Sequence, residues 1–118
     1  MISALLGFVL FAALGAVLIL QPQYLTRLTN LELSTPESRN EARSAYGGFG
    51  AGLALAFFIA LVYSPWRQPI LLTAGLMLWA MAGARGYSSW LERPTSPNIW
   101  IALAAEGVLG LLFIFFAG

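Results

Sequence analysis

Apolar residues are concentrated in four long runs, separated by short polar stretches. The runs cover Ile2–Leu20, Arg43–Tyr63, Pro69–Ala84 and Asn98–Ala117. A membrane-spanning helix needs about 20 mostly apolar residues, and the third run reaches that length if it continues through Arg85 to Tyr87. We therefore predict spans at about 2–20, 43–63, 69–87 and 98–117, within a single transmembrane domain over residues 1–118. The predicted fold is an all-α, integral membrane four-helix bundle.

The polar stretches carry helix-start signals. Thr35-Pro36 and Ser96-Pro97 each place a capping hydroxyl before a proline at the first helical position. The connection Ser64–Pro69 is short, which predicts that the second and third spans are antiparallel neighbours. We expect the first run to be a retained helix rather than a signal peptide, because it lacks a basic n-region and is long for an apolar h-region.

The stretch between the first two runs has its own periodicity. Tyr24, Leu25, Leu28 and Leu31 recur at helical spacing, and the residues between them are polar. This pattern is typical of a short amphipathic helix lying in the membrane interface. An irregular loop is the alternative.

Composition supports membrane insertion and excludes several kinds of chemistry. Hydrophobic residues make up 59% of the chain and charged residues only 9%, against roughly 25% charged residues in soluble domains. The absence of cysteine and histidine excludes disulfides, thiol chemistry and histidine-based metal sites. A net charge of +1 is too small to suggest that the protein binds nucleic acid. We find no nucleophile–base pair and no phosphate-binding loop, and therefore predict no catalytic residue, metal or cofactor.

The arginines are distributed unequally between the two predicted faces. Arg27, Arg39, Arg43, Arg85 and Arg93 lie on one face, and Arg67 on the face that carries both termini. The positive-inside rule then places the 21–42 and 86–97 connections in the cytoplasm, with both termini outside. We expect the protein in a bacterial inner membrane.

Glu106 is the one charged residue of the fourth run. It would lie about 13 Å below the start of the helix, where a charge is costly and marks a candidate functional site. Ala102 and Gly110 flank it at four-residue spacing, and the second run has Gly48 and Gly52 at the same spacing. Because small residues mark close helix approach in membranes, we predict that these four pack against neighbouring helices.

Three further polar residues are expected to meet Glu106. Arg85, Arg43 and Tyr46 approach from the same membrane face, and long arginine side chains bend along a helix. We predict a polar intramembrane binding cluster of Arg43, Tyr46, Arg85 and Glu106, with Glu106 at its floor. An ion pair that fixes helix register, a ligand or head-group site, and a catalytic or proton-carrying site all remain open.

Several of these residues form a recognisable pattern. The segment Asn40–Gly48 contains Arg-x-x-Tyr-Gly-Gly and is followed by Gly52, Gly83-Ala84-Arg85-Gly86 and Glu106. This pattern resembles small bacterial four-span membrane proteins catalogued as a domain of unknown function. The resemblance runs from Leu5 to the C-terminus and implies a compact membrane bundle with no established activity. The layout is distantly similar to the ergosterol-biosynthesis scaffold family.

These features lead to three hypotheses. The first is a non-enzymatic accessory or scaffold protein that binds membrane lipid or a small amphiphile near Glu106, as a homo-oligomer or a subunit of a larger membrane complex, without nucleic acid. The second is a small transporter or proton-coupled carrier that acts as an oligomer. The third is a membrane enzyme, such as an isomerase, with Glu106 as acid or base.

Overall fold

The computed structural model describes residues 1–29, 31–93 and 97–117. Its helices are α1 (Ile2–Leu20), α2 (Tyr24–Thr29), α3 (Pro36–Val62), α4 (Ser64–Glu92) and α5 (Pro97–Phe115). All except α2 are long and apolar enough to cross a membrane, and no strand occurs in the described ranges. The predicted all-α four-helix membrane bundle, with a short helix between its first two spans, is confirmed.

The predicted start of α3 is also confirmed. Thr35 caps it: Ser38 N donates to Thr35 Oγ1 at 3.0 Å, and Thr35 N donates to Ser38 Oγ at 3.1 Å. This reciprocal pair satisfies two backbone donors at the helix end, with Pro36 at the first helical position. The second predicted capping residue, Ser96, lies outside the described residues.

The connection between α3 and α4 is shorter than the sequence indicates. Only Tyr63 separates the two helices, and Ser64–Pro69 forms the start of α4. Pro65 is tolerated because first-turn N–H groups have no partner within a helix. Arg67 Nε donates to Ala60 O at 2.8 Å, so it satisfies a carbonyl at the end of α3. The antiparallel arrangement is retained.

The middle of α3 contains a π-helical segment, Ala42–Gly48. Such segments are rare, hold one extra residue per hydrogen-bonded ring, and often occur at functional sites. This one contains Arg43 and Tyr46, both from the predicted binding cluster. The wide turn changes which side chains share a face of α3.

The contact between α1 and α3 is made by glycines other than those predicted. A Cβ on Gly15 would lie 2.5 Å from Ala51 N, and one on Gly50 would lie 3.1 Å from Gly15 N. Gly47 is similarly close to Ile19. By contrast, Gly52 has no atom within 4 Å of a built Cβ, and Gly48 meets only its own helix. The helix-packing role predicted for Gly48 and Gly52 therefore does not occur inside the chain.

The four long helices meet around a buried aromatic cluster. Phe57 of α3 lies between Phe11 of α1 and Phe113 of α5, with ring centroids 5.7 and 5.2 Å apart. Leu71 of α4 is fully buried against the same cluster. Ala4 and Ala117 belong to this core too, so it lies toward the end of the bundle that carries both termini.

The opposite end is organised around α2. Leu25 of α2 is buried with Leu18 and Ala42, which supports the predicted apolar face of this segment. Asn98 Nδ2 donates to Arg27 O at 2.7 Å and so connects α5 to α2. The side chain of Leu28 and residue Asn30 lie outside the described part. The whole molecule is flat, with principal dimensions of 42 × 32 × 16 Å.

Candidate functional site

The site is built around a paired arginine and glutamate. Arg85 Nε donates to Glu106 Oε1 at 2.6 Å, and Arg85 Nη2 donates to Glu106 Oε2 at 3.2 Å. Such two-bond pairing fixes the plane of the guanidinium as well as its position. The Glu106 side chain is 11% exposed, whereas the Arg85 side chain is 30% exposed. Arg85 is therefore the more accessible partner of the pair, and Glu106 is the more buried one.

A close approach of α4 and α5 makes this pairing possible. A Cβ on Gly75 would lie 2.8 Å from Gly110 O, and one on Gly110 would lie 3.0 Å from Gly75 O. Trp79 Nε1 donates to Gly107 O at 3.1 Å in the same contact. Gly110 is thus buried between helices, while Ala102 is half-buried one turn before Glu106. The two helices bring Arg85 and Glu106 to the same level.

Arg85 lines an open, partly polar groove of about 470 Å³, here called the mouth. It is bounded mainly by α4, with one residue each from α3 and α5. Its lining is Tyr46, Met81, Ala84, Arg85, Ser88, Ser89, Glu92 and Ile99. The mouth therefore offers hydroxyl, guanidinium and carboxylate groups together.

A second, more enclosed cavity of about 230 Å³ adjoins the mouth; we call it the chamber. Its walls are apolar side chains of α1, α3 and α4, including Phe11, Leu53 and Met77, with Leu25 contributed by α2. Tyr46, Met81 and Arg85 line both the mouth and the chamber. A partly polar groove and an apolar pocket therefore lie side by side and share three side chains.

The structure does not bring all four residues of the predicted cluster together. Arg85 and Glu106 are in contact, and Tyr46 lines both cavities beside Arg85. Arg43 points away: its Nε donates to Ile19 O at 3.0 Å, at the end of α1. Glu106 lines neither the mouth nor the chamber, but it contacts Arg85, which lines both. The expected Glu106 floor and Arg43 wall are therefore replaced by Arg85 and Tyr46.

Sequence reasoning did not identify the apolar half of the site. Met77 and Met81 line the chamber four residues apart on α4, but methionines at helical spacing are ordinary core residues. The polar half did carry a signal, since Arg85, Ser88, Ser89 and Glu92 occur at helical spacing on one face. Of these four residues, the predicted binding cluster contains only Arg85.

No group of three or more acidic, histidine or cysteine side chains with metal-binding geometry is present in the described ranges. The chemistry available at the mouth is hydrogen bonding and charge pairing. The chamber adds apolar contact. The arrangement can therefore hold a molecule with one polar and one apolar part.

Comparison with known proteins places the chain in a family. A family model described as "Domain of unknown function (DUF4345)" matches residues 2–117. No curated protein matches. No solved structure matches either. With nearly every residue covered and four apolar helices of spanning length, this small membrane protein of uncharacterised activity belongs to the DUF4345 family.

Proposed function

We propose that this protein is a non-enzymatic membrane protein that binds a lipid or small amphiphile between its helices. The observation that carries this proposal is the sharing of Tyr46, Met81 and Arg85 between the polar mouth and the apolar chamber. The cavities measure about 470 and 230 Å³, and ligand sites commonly measure about 300–1,000 Å³. The head of the ligand lies in the mouth and its tail in the chamber.

Arg85 retains hydrogen-bonding capacity after it has paired with Glu106. A guanidinium has five N–H donors, and the pair uses one on Nε and one on Nη2. The hydroxyls of Tyr46 and Ser88 belong to exposed residues at the same opening. These groups are placed to hydrogen-bond the head of an amphiphile.

The setting of Glu106 supports binding over catalysis. Both of its carboxylate oxygens accept from Arg85, and Glu106 itself lines neither cavity. A general acid or base must reach the proton that it transfers. Glu106 therefore acts as a positioning residue that holds Arg85 at the mouth.

The surrounding membrane is assigned from the arginine distribution. We place the mouth in the cytoplasmic leaflet of a bacterial inner membrane, with both termini outside, because most arginines lie at its end of the bundle. A scaffold or accessory role would need a partner surface. The outward-facing Gly48 and Gly52 are available for a second copy or a larger complex.

The test is retention of an amphiphile in the purified protein. The protein is extracted from its native membrane with a polymer that preserves bound lipid, and co-purified small molecules are quantified by mass spectrometry. We expect at least one amphiphile near one molecule per chain. Met81→Trp, which fills the junction of the two cavities, should lower it several-fold.

Leu76→Trp is the matched control. Leu76 lies on the same helix, is 63% exposed and lines neither cavity. Its substitution should leave retention unchanged. Recovery of bulk lipids only, in equal amounts from wild type and Met81→Trp, would contradict the proposal.

A further inference from the structure

Building on the amphiphile site proposed above, we infer that its ligand is a single-chain amphiphile with an uncharged, hydroxyl-bearing head. The charge of the mouth selects the head, and the shape of the apolar space selects the tail. The residues that face the head differ from those that face the tail.

The charges around the mouth disfavour an ionic head. Among the described residues that line the mouth or stand directly behind it, Arg85 is positive and Glu92 and Glu106 are negative, so one positive and two negative charges give a net −1. An anionic head could reach the N–H donors of Arg85 that remain free, but Glu92 and Glu106 would repel it. A cationic head would lie beside the Arg85 guanidinium and be repelled by it.

An uncharged hydroxyl avoids both penalties. It can accept from an N–H of Arg85 and donate to an oxygen of Glu92, Tyr46 or Ser88. All of these groups line the same opening. The head is therefore bound by hydrogen bonds, and the Arg85–Glu106 pair stays intact.

The chamber has room for one hydrocarbon chain. Its volume is about 230 Å³, and with about 30 Å³ for each water-sized group it accommodates about eight such groups. Two chains side by side, as in a phospholipid, exceed this space. The bound molecule is accordingly expected to have one tail.

Apolar lining extends beyond the chamber. The chamber shares Leu53, Ala74 and Met77 with a groove of about 430 Å³ along the seam of α3 and α4, which extends to Trp66. Arg85 and Ala74 are 11 residues apart, or about 16 Å along the helix. This matches the roughly 15 Å depth of one leaflet, half of a 30 Å hydrocarbon core. The first part of the tail thus fills the chamber, and the rest continues along the seam.

The experiment compares three photoreactive amphiphiles that share one 16-carbon tail and differ only in their heads. The heads are a hydroxyl, a carboxylate and a trimethylammonium group. Wild-type protein in zwitterionic nanodiscs is cross-linked with each, apparent affinities are measured by competition with non-photoreactive analogues, and labelled peptides are identified by mass spectrometry. We expect the alcohol to bind at least about 10-fold more tightly than either ionic compound and to label the region of Leu53 and Met77.

Matched variants separate the head from the tail. Tyr46→Phe should weaken the alcohol several-fold, whereas Tyr87→Phe, on an exposed tyrosine outside the mouth, should not. Met77→Trp should block labelling, with Leu76→Trp again as control. Glu92→Gln should improve binding of the carboxylate by about 2- to 5-fold, whereas Glu37→Gln, which is distant from the mouth, should leave it unchanged.

The outcomes distinguish the two levels of the proposal. If none of the three compounds labels residues of the mouth or chamber, amphiphile binding itself is overturned. If the cavities are labelled but an ionic compound binds as tightly as the alcohol, only the uncharged head is overturned. Equal competition by a two-chain analogue that carries the same hydroxyl head would overturn the single tail.

Discussion

Glu106 holds Arg85 by both of its carboxylate oxygens, across the contact between α4 and α5. The Nε–Oε1 distance is 2.6 Å and the Nη2–Oε2 distance is 3.2 Å. The carboxylate is the more buried partner, and the guanidinium faces the cavities. The pair therefore links the packing of two helices to the chemistry of the mouth.

The first prediction concerns the loss of this pair. Glu106→Gln removes the charge that compensates Arg85 and should lower the free energy of unfolding by about 2–4 kcal/mol. That range is set below the value for fully buried pairs because Arg85 is partly exposed. Unfolding of the protein in detergent micelles, followed by circular dichroism, measures the change.

A double variant provides the control for the first prediction. Arg85→Met combined with Glu106→Leu removes both charges and should recover most of the stability lost in Glu106→Gln. The same double variant should bind amphiphile less well than wild type, because the polar groups of the pair are gone. If the double variant is less stable than Glu106→Gln, the charge explanation is wrong.

The second prediction tests the glycine contact between α1 and α3. Gly15→Ala places a Cβ 2.5 Å from the backbone nitrogen of Ala51, so the helices must separate at a cost of about 1–3 kcal/mol. Gly52→Ala meets nothing inside the chain and gains helix propensity, so it should be neutral or stabilising by up to about 1 kcal/mol. Thermal unfolding of the two variants makes the comparison. A large loss in Gly52→Ala would instead indicate a partner chain on that face.

The third prediction separates Arg43 from the binding site. Its Nε donates to Ile19 O at the end of α1, where cations interact favourably with unpaired carbonyls. Arg43→Gln should lower the free energy of unfolding by about 0.5–1.5 kcal/mol and leave amphiphile retention unchanged. Amphiphile retention in Arg43→Gln is measured by mass spectrometry and compared with retention in Met81→Trp. A several-fold loss of ligand in Arg43→Gln would mean that Arg43 contributes to ligand binding after all.

The fourth prediction concerns orientation, and the lack of native cysteine makes it directly measurable. Ser34 and Ser64 are exposed residues at opposite ends of α3. Under the positive-inside assignment, Ser64→Cys should react with an impermeant maleimide in intact spheroplasts, whereas Ser34→Cys should react only after the membrane is opened. The reverse labelling pattern would invert the proposed topology.

The sequence was sufficient for the helices and for one half of the site. Long apolar runs fix the four spans because lipid satisfies no backbone hydrogen bonds, and an isolated Glu106 requires a partner, which led to Arg85. The position of Arg43 could not be predicted, because a long side chain at a helix end can serve a neighbouring carbonyl as easily as an interior pocket. The chamber was also not predictable, because Met77 and Met81 look like ordinary core residues.

The glycines that contact α1 within the chain differ from Gly48 and Gly52 for another reason. Gly48 and Gly52 were selected by four-residue spacing, which assumes a regular α-helix. Gly48 ends the π-helical segment, and the contacts with α1 are made instead by Gly47 and Gly50. Sequence spacing predicts which residues share a helix face only where the number of residues per turn is known.

The π-helical segment also decides where α3 can change length. Its hydrogen-bonded rings hold one residue more than those of an α-helix, so deleting one residue of Ala42–Gly48 would let α3 become regular throughout. The wide turn already absorbs the extra residue, so the two ends of α3 would keep nearly the same alignment. A deletion in the regular part, Phe49–Val62, would instead rotate the residues on its two sides by about 100° relative to each other. The π-helical segment is therefore a part of α3 where one residue can be lost with little effect on the alignment of the helix ends.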